Sequence, residues 1–389
     1  DASGTYTSLL SDIPELTQIL QHHIVNGSVT TTMFIDGQTQ TTRLGTNLTV
    51  SFNSGSVFID NEQITVSDLI ASNGVVHVIG EVIIPATVWT GAVNTDWNNP
   101  GNWSAGIPDS TDDIVISGGG NNPVVNQIGA GCKNLTISSG GSVTISDASY
   151  SLNVDTLTIE NGGQLTVSNG NVYTNNVIHS GFLNISGGNL DIDGNYTASG
   201  NVNANISGGT IKVEGNWTSS GNGFDPTGGT VEFSGSVAQT ISLAAGNSFY
   251  DLKINNSHAS DKVSAQGSAL VVSNHLNIAD GIFESASDYH DVTIASNATL
   301  ELTGDITVSG NWTNNGTFIY NNHTVTFDGS TPQLISGNTF FYDLTINNSS
   351  SEITLNNGIV VLGTLNLTNG IVNQNNLYPL EIRNGATAI

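Results

Sequence analysis

The side chains able to do chemistry in this sequence are mainly carboxylates. Asp96, two residues after Asn94, is followed by Asp112 and Asp113, and separated carboxylates of this kind are the parts from which a general acid and base are built. Asp191 and Asp193 in NLDIDGN, and Asp288 and Asp291 around His290 in SDYHD, group oxygen ligands that Ca2+ accepts. The glycine-rich calcium-binding nonapeptide is absent, so solvated carboxylates are the expectation and no cofactor is required. Cys132 is the single cysteine and cannot form an internal disulfide. In GAGCKNLTIS it precedes an apolar-polar alternation and reads as a small filler near the start of a strand. Cleavage of acidic polysaccharides by proton abstraction calls for grouped Arg or Lys, and Lys133, Lys212, Lys253, Lys262 and Arg383 are scattered. These residues do not assemble an enzyme.

Composition narrows the partners. Six basic residues stand against 32 acidic ones, for a formal net charge of -26. Nucleic-acid binding needs clustered cations to displace phosphate counterions, and anionic membranes need the same, so both are excluded as expected partners. With 37% hydrophobic residues falling in short Val/Ile/Leu pairs and 45 glycines between them, the chain is strand-rich and folded. No apolar run approaches the length of a membrane span, and the chain opens on polar DASGTYTS rather than on a signal peptide.

The elements at the N-terminus are mixed. SDIPELTQILQHHIVNG offers Ser11 or Asp12 as an N-cap and places Ile13, Leu16, Leu20, His23 and Ile24 at helical spacing before Gly27. From Thr41 the pattern alternates, in LTVSF, VFID and ITV, with Asn53 and Gly55 in a turn, and a last apolar stretch, GVVHVIGEVIIP, ends at Pro85. These segments together resemble the C-terminal part of a fasciclin-type domain, an adhesion and structural module. Asn73, Gly74, His77, Ile79 and Pro85 fit one family landmark, and His23 fits a second, with His22 where the family usually has Tyr. The resemblance implies that His23 and His77 are buried, hydrogen-bonded residues rather than metal ligands. The family's N-terminal half has no counterpart here, which implies sheet edges and apolar faces left for another molecule to cover.

VWTGAVNTDWNNPGNWSAGIPDSTDDIVIS, from Val88 to Ser117, carries three tryptophans among Asn-Pro, Gly-Asn and Ile-Pro breakers. It resembles a segment of secreted surface proteins of Bacteroidetes-type bacteria. Trp89, Trp97 and Trp103 read as a cap over the open end of a core; in the sharper reading, exposed Trp97 and Trp103 contact a glycan. Asn94-Thr95-Asp96 with Asp112-Asp113 resembles polygalacturonase-like glycosidases, but the Gly-His-Gly and Arg-x-Lys motifs of those enzymes are absent. Asp109-Ser110-Thr111 and Asp155-Thr156-Leu157 fit the short acceptor motif for O-glycans in Bacteroidetes-type exported proteins, which makes Ser110 and Thr156 candidate glycosylation sites.

From about Asn126, pairs such as NLTIS, TLTIE, TIKVE and DLTIN recur between SSGG, ENGG and SGGN turns. Two apolar side chains point one way and the polar residue between them points the other, the mark of a strand with one wet face. Leu135 and Leu157 are 22 residues apart, and units of this length describe a solenoid coil. The spacing predicts a right-handed parallel β-helix, a rod of roughly a dozen coils and about 60 Å. Outward Thr136, Thr144, Thr158 and Thr166 would form an ice-binding array only if the series continued, and later outward positions become Asn, Asp, Lys and Glu. GNWTSSGNGF at Gly215 and GNWTNNGTF at Gly310 read as copies, with Gly194-Asn195-Tyr196-Thr197 as a third. Recurrence with aromatic exchange points to packing rather than to a catalytic site.

The expected organisation is a partial fasciclin-type α+β module over 1–86, a tryptophan-rich junction over 87–125 and β-helix over 126–389. The expected function is that of an extracellular or cell-surface structural protein, an adhesin or the subunit of a self-assembling filament. Its homopolymer contacts would use the incomplete fasciclin module and the C-terminal coil, which ends in repeat-like sequence with no evident cap. The other reading is binding of surface glycans by the Trp/Asn-rich surface.

Overall fold

The computed structural model describes residues 13–388 apart from 259, 267–269, 376 and 384, so the expected N-cap positions Ser11 and Asp12 lie outside the described residues. The chain divides into two compact units, one up to Thr87 and one from Val88 onward.

In the first unit a helix, Ile13–His22, precedes five strands: Thr39–Thr41, Asn47–Asn53, Ser56–Ile59, Glu62–Ala71 and Gly74–Ile79. They form an antiparallel meander in sequence order. Two of its hairpins close through pairs of residues with positive φ, Ser54-Gly55 and Asp60-Asn61. That backbone matches the twist of the flanking strands. The core of this unit is small, built on Leu48, Val50, Ile59 and Ile83. The helix buries Ile19 and His22, whereas Ile13, Leu20 and Ile24 of the expected apolar stripe are 61%, 57% and 45% exposed. The stripe follows the sequence period, but the sheet is too small to cover it.

The second unit is a β-solenoid of about 13 turns. Each coil visits three faces in the same order, and like residues stack across coils by parallel pairing. Face A runs Ala130, Leu152, Val172, Leu190, Ile211, Val231, Leu252, Leu276, Val292, Trp312, Ile335 and Leu355, each paired with the next. All are buried. Face B begins Ile114, Leu135, Leu157, Val177, Tyr196, Trp217 and Ile241. Face C runs Val125, Ile145, Val167, Ile185 and Ile206, passes an irregular coil at Phe224, and resumes at Phe249, Val272, Tyr289, Val308, Phe327 and Ile346. The period is about 20 residues per coil. Coils begin with Asp113–Ile116, which pairs with Asn134–Ile137, so the solenoid starts inside the segment expected to be junction.

The two GNWT segments do pack, as their recurrence implied, but on different faces: Trp217 lies on face B and Trp312 on face A. Their separation of 95 residues corresponds to about four and two-thirds coils, so the second copy is shifted by one face. Local contacts survive the shift. Gln239 accepts from the amide of Gly235 at 3.1 Å and from Asn256 Nδ2 at 2.9 Å, and donates to the carbonyls of Val213 and Gly215 at 3.1 and 2.7 Å. Gln333 repeats this with Gly329, Asn348, Val308 and Gly310 at 3.2, 2.8, 2.9 and 2.6 Å. The Gly-Asn before each aromatic has its own reason. A Cβ on Gly215 would lie 2.4 Å from the Gly194 carbonyl, and the Asn195 side chain accepts from the Asn216 amide one coil on at 2.8 Å.

One titratable pair is sealed inside. His179 Nδ1 accepts from the Tyr196 hydroxyl at 2.5 Å and Nε2 donates to the Gly181 carbonyl at 3.1 Å. Burial pushes the imidazole pKa down to about 4, against about 6.5 in the unfolded chain. As pH falls through 6.5 the unfolded state takes up a proton that the folded state refuses until about pH 4, so stability falls across that window. The expected loss from this site is about 3 kcal/mol. Urea denaturation of the wild type and His179→Gln at pH 7 and pH 4.5 checks it: the stability advantage of the wild type should shrink on acidification, and an unchanged difference would rule the site out.

Candidate functional site

The fasciclin-like unit holds an apolar cavity of about 350 Å3, lined by Phe34, Leu48, Ile59, Ile79 and Ile83 with His23 and His77 among them. His23 Nδ1 donates to the Ile19 carbonyl at 2.7 Å and Nε2 accepts from the Ile83 amide at 3.2 Å. His77 Nε2 donates to the Val29 carbonyl at 2.9 Å and Nδ1 accepts from the Asp68 amide at 3.3 Å. All four ring nitrogens are committed to backbone, which leaves no lone pair for a metal. The hydrogen bonding is as the sequence implied, but the burial is not: His23 is exposed and His77 only half-buried. The buried one is His22, whose Nδ1 meets Thr46 Oγ1 at 2.5 Å. Burial holds its pKa below the usual imidazole value.

The tryptophan-rich segment caps a core. Trp89 and Trp103 meet edge to face at 4.8 Å, as do Trp97 and Trp103 at 4.9 Å, and all three join the coil residues in one hydrophobic cluster. Trp103 Nε1 donates to the Trp97 carbonyl at 2.6 Å. The loop between them is held by buried Asn102, which accepts from the amides of Val93 and Asn94 at 2.9 and 3.0 Å and donates to Asn94 Oδ1 at 2.7 Å. Trp97 is 0% and Trp103 5% exposed, so the expectation that these rings contact a glycan is corrected: they have no free face. Their Gly/Asn/Pro surroundings suggested a surface loop, and it is ring-on-ring packing that closes it.

The carboxylates do not converge. Asp113 accepts from Asn134 Nδ2 at 2.8 Å. Asp112 accepts from the Asp109 amide at 2.8 Å, and burial raises its pKa above the ordinary carboxylate value. Of the calcium candidates, Asp191 pairs with Lys212 Nζ at 3.2 Å, Asp288 accepts from Thr307 at 2.7 Å and Asp291 from the Asn311 amide at 2.5 Å. Asp193 points outward from an exposed position. Among the described residues no three His, Cys, Asp or Glu side chains gather as a metal ion requires. Lys212, Lys253 and Lys262 are each engaged by carboxylates, Glu214 at 3.0 Å, Glu232 at 3.1 Å and Glu301 at 2.9 Å respectively. Cys132 is buried, and burial pushes its thiol pKa up, away from the reactive thiolate. Ser110 is exposed in a turn, whereas Thr156 is half-buried in a parallel strand between Asn134 and Asn176.

The architecture is that of a β-solenoid preceded by a small antiparallel sheet. Residues 2–85 are a fasciclin domain, and residues 88–197 match a domain of unknown function (DUF8693). Protein sll1483 of Synechocystis sp. is 37% identical over 87 residues, 21% of this chain and 47% of the relative. The uncharacterized protein sll1735 of the same organism is 32% identical over 81 residues, 21% of this chain and 60% of the relative. The chain thus spans about half the length of the curated relatives it matches. No solved structure matches the chain significantly. The likeness of the tryptophan-rich segment to Bacteroidetes-type surface proteins is not shown. Fasciclin domains occur in extracellular or surface proteins, and with the solenoid they are compatible with an adhesive or structural role. No helix among the described residues is long and apolar enough to cross a membrane.

Proposed function

We propose that this chain is a non-enzymatic structural protein of the cell surface or extracellular space, an adhesin or filament subunit whose copies join through the fasciclin unit and the solenoid coil at Thr364–Asn373. The observation that carries this reading is the uncovered apolar surface of the fasciclin unit. Strand Gly74–Ile79 is an edge: it pairs with Glu62–Ala71 on one side and with no strand on the other among the described residues. Its Val76 and Val78 are 55% and 42% exposed, and neighbouring Ile70 is 81% exposed. An open, charge-free apolar edge invites a strand from another molecule. On the solenoid, Ile371 and Leu377 are likewise apolar and exposed, at 65% and 75%. Heterologous contact between these two surfaces generates an open fibre wherever the rotation from copy to copy does not close a ring.

Light scattering and electron microscopy over a concentration series test this. The wild type should lengthen with concentration, and Val76→Lys with Val78→Lys, which place charge on the edge, should stay monomeric. A wild type that remains monodisperse throughout would overturn the filament reading.

A further inference from the structure

Face C carries a second surface, on the outer side of the coils between residues 122 and 225. A shallow groove of about 760 Å3 runs across the stacked coils there. Outward side chains line it in register. Ser142, Gln164, Phe182 and Asn203 form one row, and Asn184 and Asn205 belong to a second, which continues outside the groove at Thr166 and Thr144. Successive members stand about 4.8 Å apart, the rung spacing of a parallel sheet. The adjoining corner is glycine for steric reasons at Gly141 and Gly223, while Val202 takes the same corner in the coil of Asn203. A Cβ on Gly141 would sit 2.2 Å from the Ile116 carbonyl, and one on Gly223 would sit 2.0 Å from that of Val202. The side chains therefore stand beside backbone left uncovered at the glycine positions.

The chemistry of the lining selects a ligand class. Phe182 is 41% exposed, and its ring meets no other aromatic ring among the described residues. The side-chain carboxamides of Asn203 and Asn205, both exposed, make no hydrogen bond among the described residues, so each offers donors and an acceptor to a ligand. No Lys, Arg or His lines the groove, and its one carboxylate, Asp225, accepts from Ser248 Oγ. With no cation to hold a carboxylate, sulfate or phosphate, and a formal net charge of -26 on the protein, an anionic ligand is repelled. An apolar ring beside unpaired amides matches the two-sided character of a pyranose, whose C–H face is apolar and whose rim is hydroxyl.

We propose that this groove binds an extended, uncharged polysaccharide, with a sugar ring on Phe182 and neighbouring hydroxyls on Asn203, Asn205 and Gln164. Successive sugars follow successive coils, because the rung spacing is close to the advance of one residue along an extended glycan. The site lies in the solenoid and does not depend on subunit contacts, so it stands or falls separately from the filament reading.

Native gel electrophoresis of the full chain through gels containing xylan, hydroxyethylcellulose or polygalacturonate tests it. At least one of the two neutral polymers should retard the wild type, and polygalacturonate should not. Phe182→Ala should weaken the retardation about tenfold without shifting the melting temperature, since the ring packs on the outside. The double change Asn203→Ala with Asn205→Ala provides the same readout should Phe182→Ala fold poorly. Absence of retardation by both neutral polymers, retardation by polygalacturonate alone, or wild-type binding by the variants would each overturn the proposal.

Discussion

Truncation of Trp217 to alanine lowers the stability of the solenoid by about 3–5 kcal/mol, the cost of a large core cavity that neighbours cannot close. Four rings converge on this side chain. Tyr196 stacks on it at 3.8 Å and 14°, and Phe224, Phe249 and Phe233 meet it edge to face at 4.8, 5.3 and 6.5 Å. Each belongs to a strand or turn held by coil stacking, so collapse into the void would break the pairing that defines the coil. Milder substitutions separate packing from polarity. Trp217 Nε1 is buried with no partner among the described residues, whereas Trp312 Nε1 donates to Thr339 Oγ1 at 3.2 Å. Trp312→Phe should therefore cost about 1 kcal/mol more than Trp217→Phe. Urea denaturation followed by far-UV circular dichroism measures all three variants; equal costs for the two Phe substitutions would show that the indole N–H carries no weight.

Removal of Gln333 comes next in expected size, at about 3–4 kcal/mol for Gln333→Ala. The side chain is 2% exposed and serves several groups at once: it receives the Gly329 amide and donates to the carbonyls of Gly310 and Val308 in the coil beneath, the latter also accepting from the Asp328 amide at 3.2 Å. Deletion removes the Gln333 bonds to the Gly329 amide and the Gly310 carbonyl and half of the bonding at Val308, and a buried group that loses its partner costs more than one that never had the bond. Gln239→Ala should cost the same within about 0.5 kcal/mol, because its partners are the same set one face away. The two sites lie several coils apart, so the double variant should show the sum of the single losses. A double variant far from additive would mean that the solenoid responds as a whole rather than coil by coil.

Neither glutamine stood out in the sequence, and the reason is physical. The carbonyls that Gln239 satisfies are 24 and 26 residues earlier in the chain, a distance at which partners are chosen by coil stacking rather than by local preference. A signal was present: a glycine four residues before each glutamine and an asparagine 15 to 17 after it recur at Gly235 and Asn256 and at Gly329 and Asn348, as the bonding distances along the chain show. Trp89, Trp97 and Trp103 were legible as a cap over the core; that Trp97 and Trp103 keep no free face for a glycan was decided by three rings meeting edge to face. The apolar stripe of the first helix was legible as a stripe, but not which part of it would find cover.

By itself the sequence determined the strands, the turns and the stacking period, because alternation of apolar and polar residues and glycine at positive φ are local demands that leave few alternatives. Only the tertiary structure decided on which face each repeat lands. A coil closes through turns of unequal length, so a recurrence of 95 residues is not a whole number of coils, and Trp217 and Trp312 lie a third of a turn apart around the core. The same stacking sets Phe182 between Gln164 and Asn203 beside a glycine corner, a juxtaposition of residues about 20 apart that no local pattern records.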